Sequence, residues 1–192
     1  MKKKSVQDDE IISKYSNDII ENVKELEERI VSIEKKNDKL SMILFSGDFD
    51  KAMAAFIIAN GAIAMDIEVT IFATFWGLDI LKKSSFNTKG RGFLERMILA
   101  MRPKGPGKIG TSKMNFCGIG PKMFRYMMRK KNVLELESLI KMAQEAGVKI
   151  IACQMTVDLM GIKPTDLIDG LEPGGVASFL SSASKSNTTL FI

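Results

Sequence analysis

The spacing of the hydrophobic residues changes near residue 39. Upstream, apolar residues recur every seven positions among charged side chains: Ile12, Ile19, Leu26 and Ile33. This spacing is typical of a short coiled coil or of a single amphipathic helix. We therefore predict a long N-terminal helix within residues 1–38, which either folds back on its own domain or associates with another copy.

Downstream, short apolar runs alternate with helical patterns. Five runs have the length and side chains of buried strands: residues 40–45, 67–75, 148–153, 168–171 and 188–192. Helical periodicity predicts helices over residues 49–65, 134–146, 156–160 and 176–183. This alternation predicts right-handed βαβ units, and hence a parallel sheet with helices on both faces. Residues 39–192 form the predicted α/β domain, with a long insertion of loop and helix at about residues 83–131.

Polar and glycine residues follow the predicted strand ends, which is where open α/β sheets bind their ligands. The first strand is followed by Gly47 and Asp48, the second by Trp76, and a later one by Cys153 and Gln154. We expect Gly47, Asp48, Trp76 and Gln154 to line a pocket at this edge of the sheet.

Cys153 is the leading candidate for chemistry. It ends a predicted strand just before a short helix, where free backbone N–H groups favour a thiolate. The alternative is a buried cysteine that only fills space, and position alone leaves both interpretations open. Cys117 lies in a glycine-bracketed basic loop, where it is either a second thiol or an incidental loop residue.

The composition removes several classes of chemistry. The chain has no histidine, which excludes Ser-His-Asp triads, Cys-His pairs and histidine metal sites. Two cysteines cannot build a thiolate zinc cage or an iron–sulfur cluster, so we expect no metal centre. The glycine-rich residues 105–111 lack the Ser or Thr that a phosphate loop needs after Gly-Lys.

The absence of a secretory signal and the two cysteines predict a reduced, cytoplasmic protein. The longest apolar stretch, residues 52–65, is too short to span a bilayer and is interrupted by polar residues.

Positive charge is concentrated in the predicted insertion. Residues 82–131 carry fourteen Lys or Arg against one acidic residue, whereas residues 1–38 carry eight basic and ten acidic residues. Within the insertion, methionines share a helical face that cations flank, which suits an acidic protein partner or a peripheral membrane contact. The candidate docking residues are Lys122, Arg125, Met127, Met128 and Arg129. The alternative is a helix that only covers the sheet. Few aromatic residues and no recognised binding motif argue against nucleic acid.

Five segments together resemble the DsrE/DsrF/DsrH-like family, specifically its soluble DsrE-type branch. They are LSMILFSGDFDK at residues 40–51, FATFWGL at 72–78, IACQMTVDLMG at 151–161, GGVASFL at 174–180 and TTLFI at 188–192. The resemblance implies a three-layer α/β/α domain with a five-stranded, mostly parallel sheet, usually assembled into oligomers. Family members of this kind carry sulfur as a cysteine persulfide, and the matching position in this sequence is Cys153.

The resemblance therefore predicts a sulfurtransferase or sulfur carrier that relays sulfane sulfur from Cys153 to partner thiols. Sulfur donor and acceptor proteins would be its partners, and the exchange needs no metal or organic cofactor. We expect a homo-oligomer. The alternative function is a non-catalytic module that binds a protein partner or an anionic ligand such as a nucleotide or coenzyme A, which the basic insertion would favour.

Overall fold

The computed structural model describes residues 16, 18–29, 31, 38–84 and 92–192. The chain divides into two units between residues 37 and 38. In the first unit, residues 18–29 are helical, and the side chains of Ile19, Val23 and Leu26 are exposed. Ile12 and Ile33 of the predicted heptad pattern lie outside the described residues.

The second unit contains one five-stranded sheet. Its strands are β1 (Lys39–Leu44), β2 (Glu68–Ala73), β3 (Lys149–Cys153), β4 (Glu172–Gly174) and β5 (Thr188–Phe191). All neighbouring strands pair in parallel, in the order β4-β3-β2-β1-β5. The predicted fold class is confirmed.

Helices cover both faces of this sheet. They are α1 (Phe49–Ile63), α2 (Phe93–Met101), α3 (Ile119–Lys130), α4 (Leu136–Glu145), α5 (Gln154–Leu159) and α6 (Val176–Ala183). On one face, α1 packs against β1, β2 and α4. On the other face, α6 packs against β1 and β4.

The two faces bury separate apolar clusters because successive side chains of a strand point to opposite sides. Ile150 belongs to the large cluster on the α1 face. Ile151 and Cys153 belong to a smaller cluster that they form with Phe72 and with Phe179 of α6. The thiol of Cys153 therefore points to the more thinly covered face.

Several predicted boundaries differ from those of the structure. The fourth strand is Glu172–Gly174 rather than residues 168–171. Ile168 instead donates its N–H to the Leu81 carbonyl, in a neighbouring antiparallel contact. Helix α5 begins at Gln154, directly after β3, rather than at residue 156. Strand β2 ends at Ala73 rather than at residue 75. Among the residues that the structure describes, no helix combines the length and the apolar character that crossing a bilayer requires.

Candidate functional site

Cys153 lies at the carboxyl edge of the sheet, as the last residue of β3. In the parallel register, Ala152 of β3 is opposite Ala73 of β2, so Thr74 is the next residue along the neighbouring strand. Only 1% of the Cys153 surface is exposed. The sheet thus brings a buried thiol and a hydroxyl to the same edge.

A second hydroxyl completes this site. Thr156, in the first turn of α5, is fully buried, and its Oγ1 is 3.0 Å from Oγ1 of Thr74. The backbone N–H of Phe75 donates to the same Thr156 oxygen at 3.3 Å. We call Thr74, Cys153 and Thr156 the thiol corner.

The thiol corner favours the ionised form of Cys153. Burial raises the pKa of the thiol, whereas hydrogen bonding by the hydroxyls of Thr156 and Thr74 and by the N–H groups of Thr156 and Met155 stabilises the thiolate and lowers the pKa. Together these hydrogen bonds outweigh burial, so the pKa of Cys153 lies below its ordinary value. Because the thiolate is the nucleophilic form, this arrangement suits attack on a sulfur atom.

Apolar side chains close the site from the α6 face. The rings of Phe72 and Phe179 are tilted against each other with centroids 5.3 Å apart, and both cluster with Ile151 and Cys153. Since almost none of Cys153 is exposed, a reaction partner does not reach Sγ in this arrangement of the side chains.

The predicted pocket residues Gly47 and Trp76 are packed against each other. A Cβ on Gly47 would stand 2.8 Å from the Trp76 carbonyl oxygen, so only glycine permits this approach of the two loops. Trp76 itself is about half exposed, and the Arg102 guanidinium lies over its ring, 5.0 Å from the centroid.

The other two predicted pocket residues, Asp48 and Gln154, bond to residues that are near them in sequence. Asp48 accepts from the Ser46 hydroxyl at 2.8 Å and pairs with Lys51 at 3.0 Å. Gln154 donates to Asp158 Oδ1 at 2.8 Å on the exposed side of α5. Asp48 and Gln154 are therefore engaged with neighbours along the chain.

A cavity of about 280 Å³ lies beside the ends of β3 and β4. Its walls include Ala152 and Gln154, the two neighbours of Cys153 in sequence, and Leu167 and Pro173. Because Ala152 faces the α1 cluster, this cavity opens on the side of the sheet opposite to Sγ.

Sequence reasoning missed Thr74 and Thr156 as site residues. Threonine is common after a strand and in the first turn of a helix, so neither residue stands out by type. A usable signal was their position, since Thr74 directly follows a strand next to β3 and Thr156 lies three residues after Cys153.

The predicted docking residues on α3 are in different environments. Lys122, Met127 and Arg129 are exposed, whereas Met128 is buried. Arg125 donates through Nη2 to two backbone carbonyl oxygens, at 3.1 and 2.9 Å, and lies over the Phe49 ring. We call five of the exposed side chains of this helix the α3 face: Lys122, Met123, Phe124, Met127 and Arg129.

A mostly apolar groove separates the α3 face from α1. It has a volume of about 330 Å³, and its walls include Met53 and Ile57 of α1, Phe124 and Met127 of α3, and Val133. Arg129 is at 3.6 Å from Glu135 across the exposed surface.

Two further expectations concern Cys117 and metals. The backbone of Cys117 is in the short 3-10 turn Phe116–Gly118, and its side chain lies outside what the structure describes. No group of three or more His, Cys, Asp or Glu side chains within the described residues is close enough to hold a metal ion.

Comparison with known sequences matches most of the chain to one family. The sequence profile of the DsrE/DsrF/DrsH-like family matches residues 36–191. "Uncharacterized protein YrkE" of Bacillus subtilis is 52% identical over 158 residues, which cover 82% of this chain and 99% of that protein. "Sulfur carrier protein DsrE2" of Allochromatium vinosum is 37% identical over 162 residues, which cover 80% of this chain and 98% of that protein.

Two solved structures show more distant similarity. The ychN protein from E. coli shares 12% identity with a TM-score of 0.45, covering 81% of this chain and 99% of its own. MTH1491 from Methanobacterium thermoautotrophicum shares 10% identity with the same TM-score, covering 80% of this chain and 99% of its own.

Proposed function

The chain belongs to the DsrE/DsrF/DrsH-like family, and on that premise we propose that it carries sulfane sulfur as a persulfide on Cys153. The family and the relative named as a sulfur carrier support such a role in general. The observation that carries the specific proposal is the set of hydroxyl and amide donors at Sγ, which favours a thiolate in a buried position. A cysteine that only filled space would need no such donors.

The exchange balances without an added oxidant or reductant. The Cys153 thiolate attacks the outer sulfur of a donor persulfide, the donor S–S bond breaks, and the donor leaves as a thiolate. Cys153 then holds the persulfide until an acceptor thiolate attacks its outer sulfur and releases the Cys153 thiolate. In the loaded state, the Thr74 and Thr156 hydroxyls would donate to the sulfur atoms that carry the charge.

The partners of this proposal are sulfur donor and acceptor proteins. We propose that the relay works in the cytoplasm. The Cys153 thiol must stay reduced between cycles, and the cytoplasm is a reducing compartment. We also propose a homo-oligomer, in which the exposed Ile19, Val23 and Leu26 of the N-terminal helical segment contribute to association. Light scattering on the full chain and on a triple Ile19→Asp, Val23→Asp, Leu26→Asp variant tests this proposal. Two equal masses would contradict a contribution of the helical segment, and a monomeric full chain would contradict the oligomer.

The α3 face supports a proposal about docking. Exposed methionines and an aromatic residue border an apolar groove, and Lys122 and Arg129 add positive charge to the same helix. An acidic amphipathic helix of a partner protein fits this combination, because its apolar side would enter the groove and its carboxylates would meet the cations.

Sulfur loading tests the proposed function directly. The full chain is incubated with inorganic polysulfide, freed of excess reagent, and measured by intact mass spectrometry. We expect one added sulfur on the wild type and on Cys117→Ser, and none on Cys153→Ser. Equal loading of Cys153→Ser, or no loading of the wild type, would contradict the proposal. A chain that takes no sulfur but is stabilised against heat by nucleotides or coenzyme A would be a binding module instead.

A further inference from the structure

Phe75 has a backbone conformation that needs support. Its φ of +47° lies in the left-handed region, which L residues other than glycine rarely adopt. Two hydrogen bonds hold it from either side of its Cα: its N–H donates to Thr156 Oγ1 at 3.3 Å, and its carbonyl accepts from Arg102 Nη2 at 3.1 Å. The direction of the Phe75 N–H therefore depends on both partners.

Arg102 is itself firmly held. Its side chain is buried, its Nε donates to Asp79 Oδ2 at 2.9 Å, and its guanidinium lies over the Trp76 ring. Nη1 contacts Met160 Sδ, and Asp79 also pairs with Lys82 at 2.6 Å. The planar guanidinium can thus reach the carboxylate and the Phe75 carbonyl at once, which a lysine ammonium cannot do with the same geometry.

The hydroxyl of Thr156 links the Phe75 backbone to Cys153 Sγ through the hydrogen bonds that it can make. Its hydroxyl has one proton and can also accept hydrogen bonds. Because the Phe75 N–H already donates to Oγ1, the Thr156 proton is directed elsewhere, and the same bond polarises the O–H group. The remaining acceptors near it are Thr74 Oγ1 and Cys153 Sγ.

We infer that Arg102 is a positioning residue for the Cys153 thiolate, because it holds the Phe75 backbone so that the Phe75 N–H directs the Thr156 hydroxyl toward Sγ. The inference rests on the proposed function of Cys153 and adds a residue that follows α2, far from the strand ends in sequence. Arg102 acts through two intermediate groups and does not touch the reacting sulfur.

The test measures thiolate formation without any sulfur transfer. The full chain with Cys117→Ser serves as the reference, since Cys153 is then its only thiol. The ultraviolet absorbance of the thiolate is followed against pH, and Cys153→Ser provides the baseline. We expect Arg102→Met to raise the pKa of Cys153 and to lower its thiolate population below that pKa by about three- to tenfold, as expected for weakening one charge-assisted hydrogen bond.

Two variants separate positioning from plain electrostatic attraction. Arg102→Lys keeps the positive charge beside Asp79 but loses the second arm to the Phe75 carbonyl, so it should also raise the pKa. Arg96→Met removes an exposed charge of the same kind on α2 and should leave the pKa unchanged. An Arg102→Lys variant that titrates like the reference would overturn the inference, because charge alone would then explain the effect.

A double-mutant cycle tests the route through Thr156. Thr156→Val should raise the pKa, Thr156→Ser should restore it, and Arg102→Lys should add nothing further in the Thr156→Val background. Equal shifts from Arg102→Lys with and without Thr156 would contradict the route. If circular dichroism shows that Arg102→Met does not fold, the Arg102→Lys cycle decides. A chain that titrates as expected but takes up no sulfur would refute the proposed function while leaving the positioning role standing.

Discussion

The thiol corner and the α3 face use polar groups in opposite ways. At the thiol corner, two buried hydroxyls that hydrogen-bond to each other and two backbone amides together lower the pKa of the single Cys153 thiol. On the α3 face, Lys122 and Arg129 extend into solvent beside exposed apolar side chains. The first arrangement changes the chemistry of one atom, whereas the second offers a broad surface of mixed character. Burial, rather than residue type, distinguishes the two.

Replacing each of two adjacent methionines on α3 should give the largest difference in unfolding free energy. Met128 is buried in the main core and Met127 is about half exposed, so Met128→Asp should cost on the order of 3–5 kcal/mol of unfolding free energy by placing a charge in the core. Met127→Asp should cost less than about 1 kcal/mol. Chemical denaturation measures both, and equal losses would show that the whole helix face is core.

The two arginines of α3 should also differ in how much unfolding free energy their replacement costs. The more enclosed Arg125 should cost more than the exposed Arg129, but the difference should be smaller than for the two methionines. Arg125 donates to the carbonyls of Pro106 and Ile109, so Arg125→Met should cost about 1–3 kcal/mol of unfolding free energy. Arg129 has one exposed partner, Glu135, and Arg129→Met should cost about 0–1 kcal/mol. Thermal unfolding of the pair checks this, and a cost for Arg129→Met as large as that for Arg125→Met would remove the distinction.

The same contrast shows how far sequence could predict the molecule. The α/β alternation and the place of Cys153 at a strand end follow from local patterns, which is why both were accessible. By sequence, Arg125 is a candidate docking residue and Arg102 is one of fourteen basic residues within residues 82–131, because a sequence does not show which cations bond to distant backbone carbonyls. The pairing of Thr74 with Thr156 joins residues 82 positions apart and depends on strand order.

The shifted fourth strand has a similar cause. Glu172–Gly174 contains a proline and two other residues of low strand propensity, so its sequence does not indicate a strand. Edge position explains why the sheet tolerates Pro173, since β4 has a neighbour on only one side. Tertiary pairing with β3 therefore overrides local preference.

The smallest expected effect concerns docking on the α3 face. Because Arg125 supports the fold, we choose Lys122→Glu with Arg129→Glu as the charge reversal, and we expect it to preserve folding. A synthetic amphipathic peptide of leucine and glutamate is the probe, with fluorescence anisotropy as the measurement. Binding should weaken with added salt and with the double reversal.

The controls of that experiment distinguish an acidic protein partner from a lipid surface. A peptide with glutamine in place of glutamate should bind the wild type more weakly, since it lacks the complementary charge. Unchanged peptide binding by the double variant would contradict docking on this face. Salt-sensitive binding to vesicles of anionic phospholipid, with none to the peptide, would identify a lipid surface as the occupant instead.

The central claim is that buried donors keep Cys153 ready, as a thiolate, to take up sulfur. The most direct measurement is the initial rate of persulfide formation on the Cys117→Ser chain as a function of pH, followed by intact mass with inorganic polysulfide. Since the pKa of Cys153 is lowered, the rate should rise and level off at a lower pH than for a free cysteine peptide. A rate that rises only at or above the pH of the free peptide, or a chain that gains no sulfur at any pH, would contradict the claim.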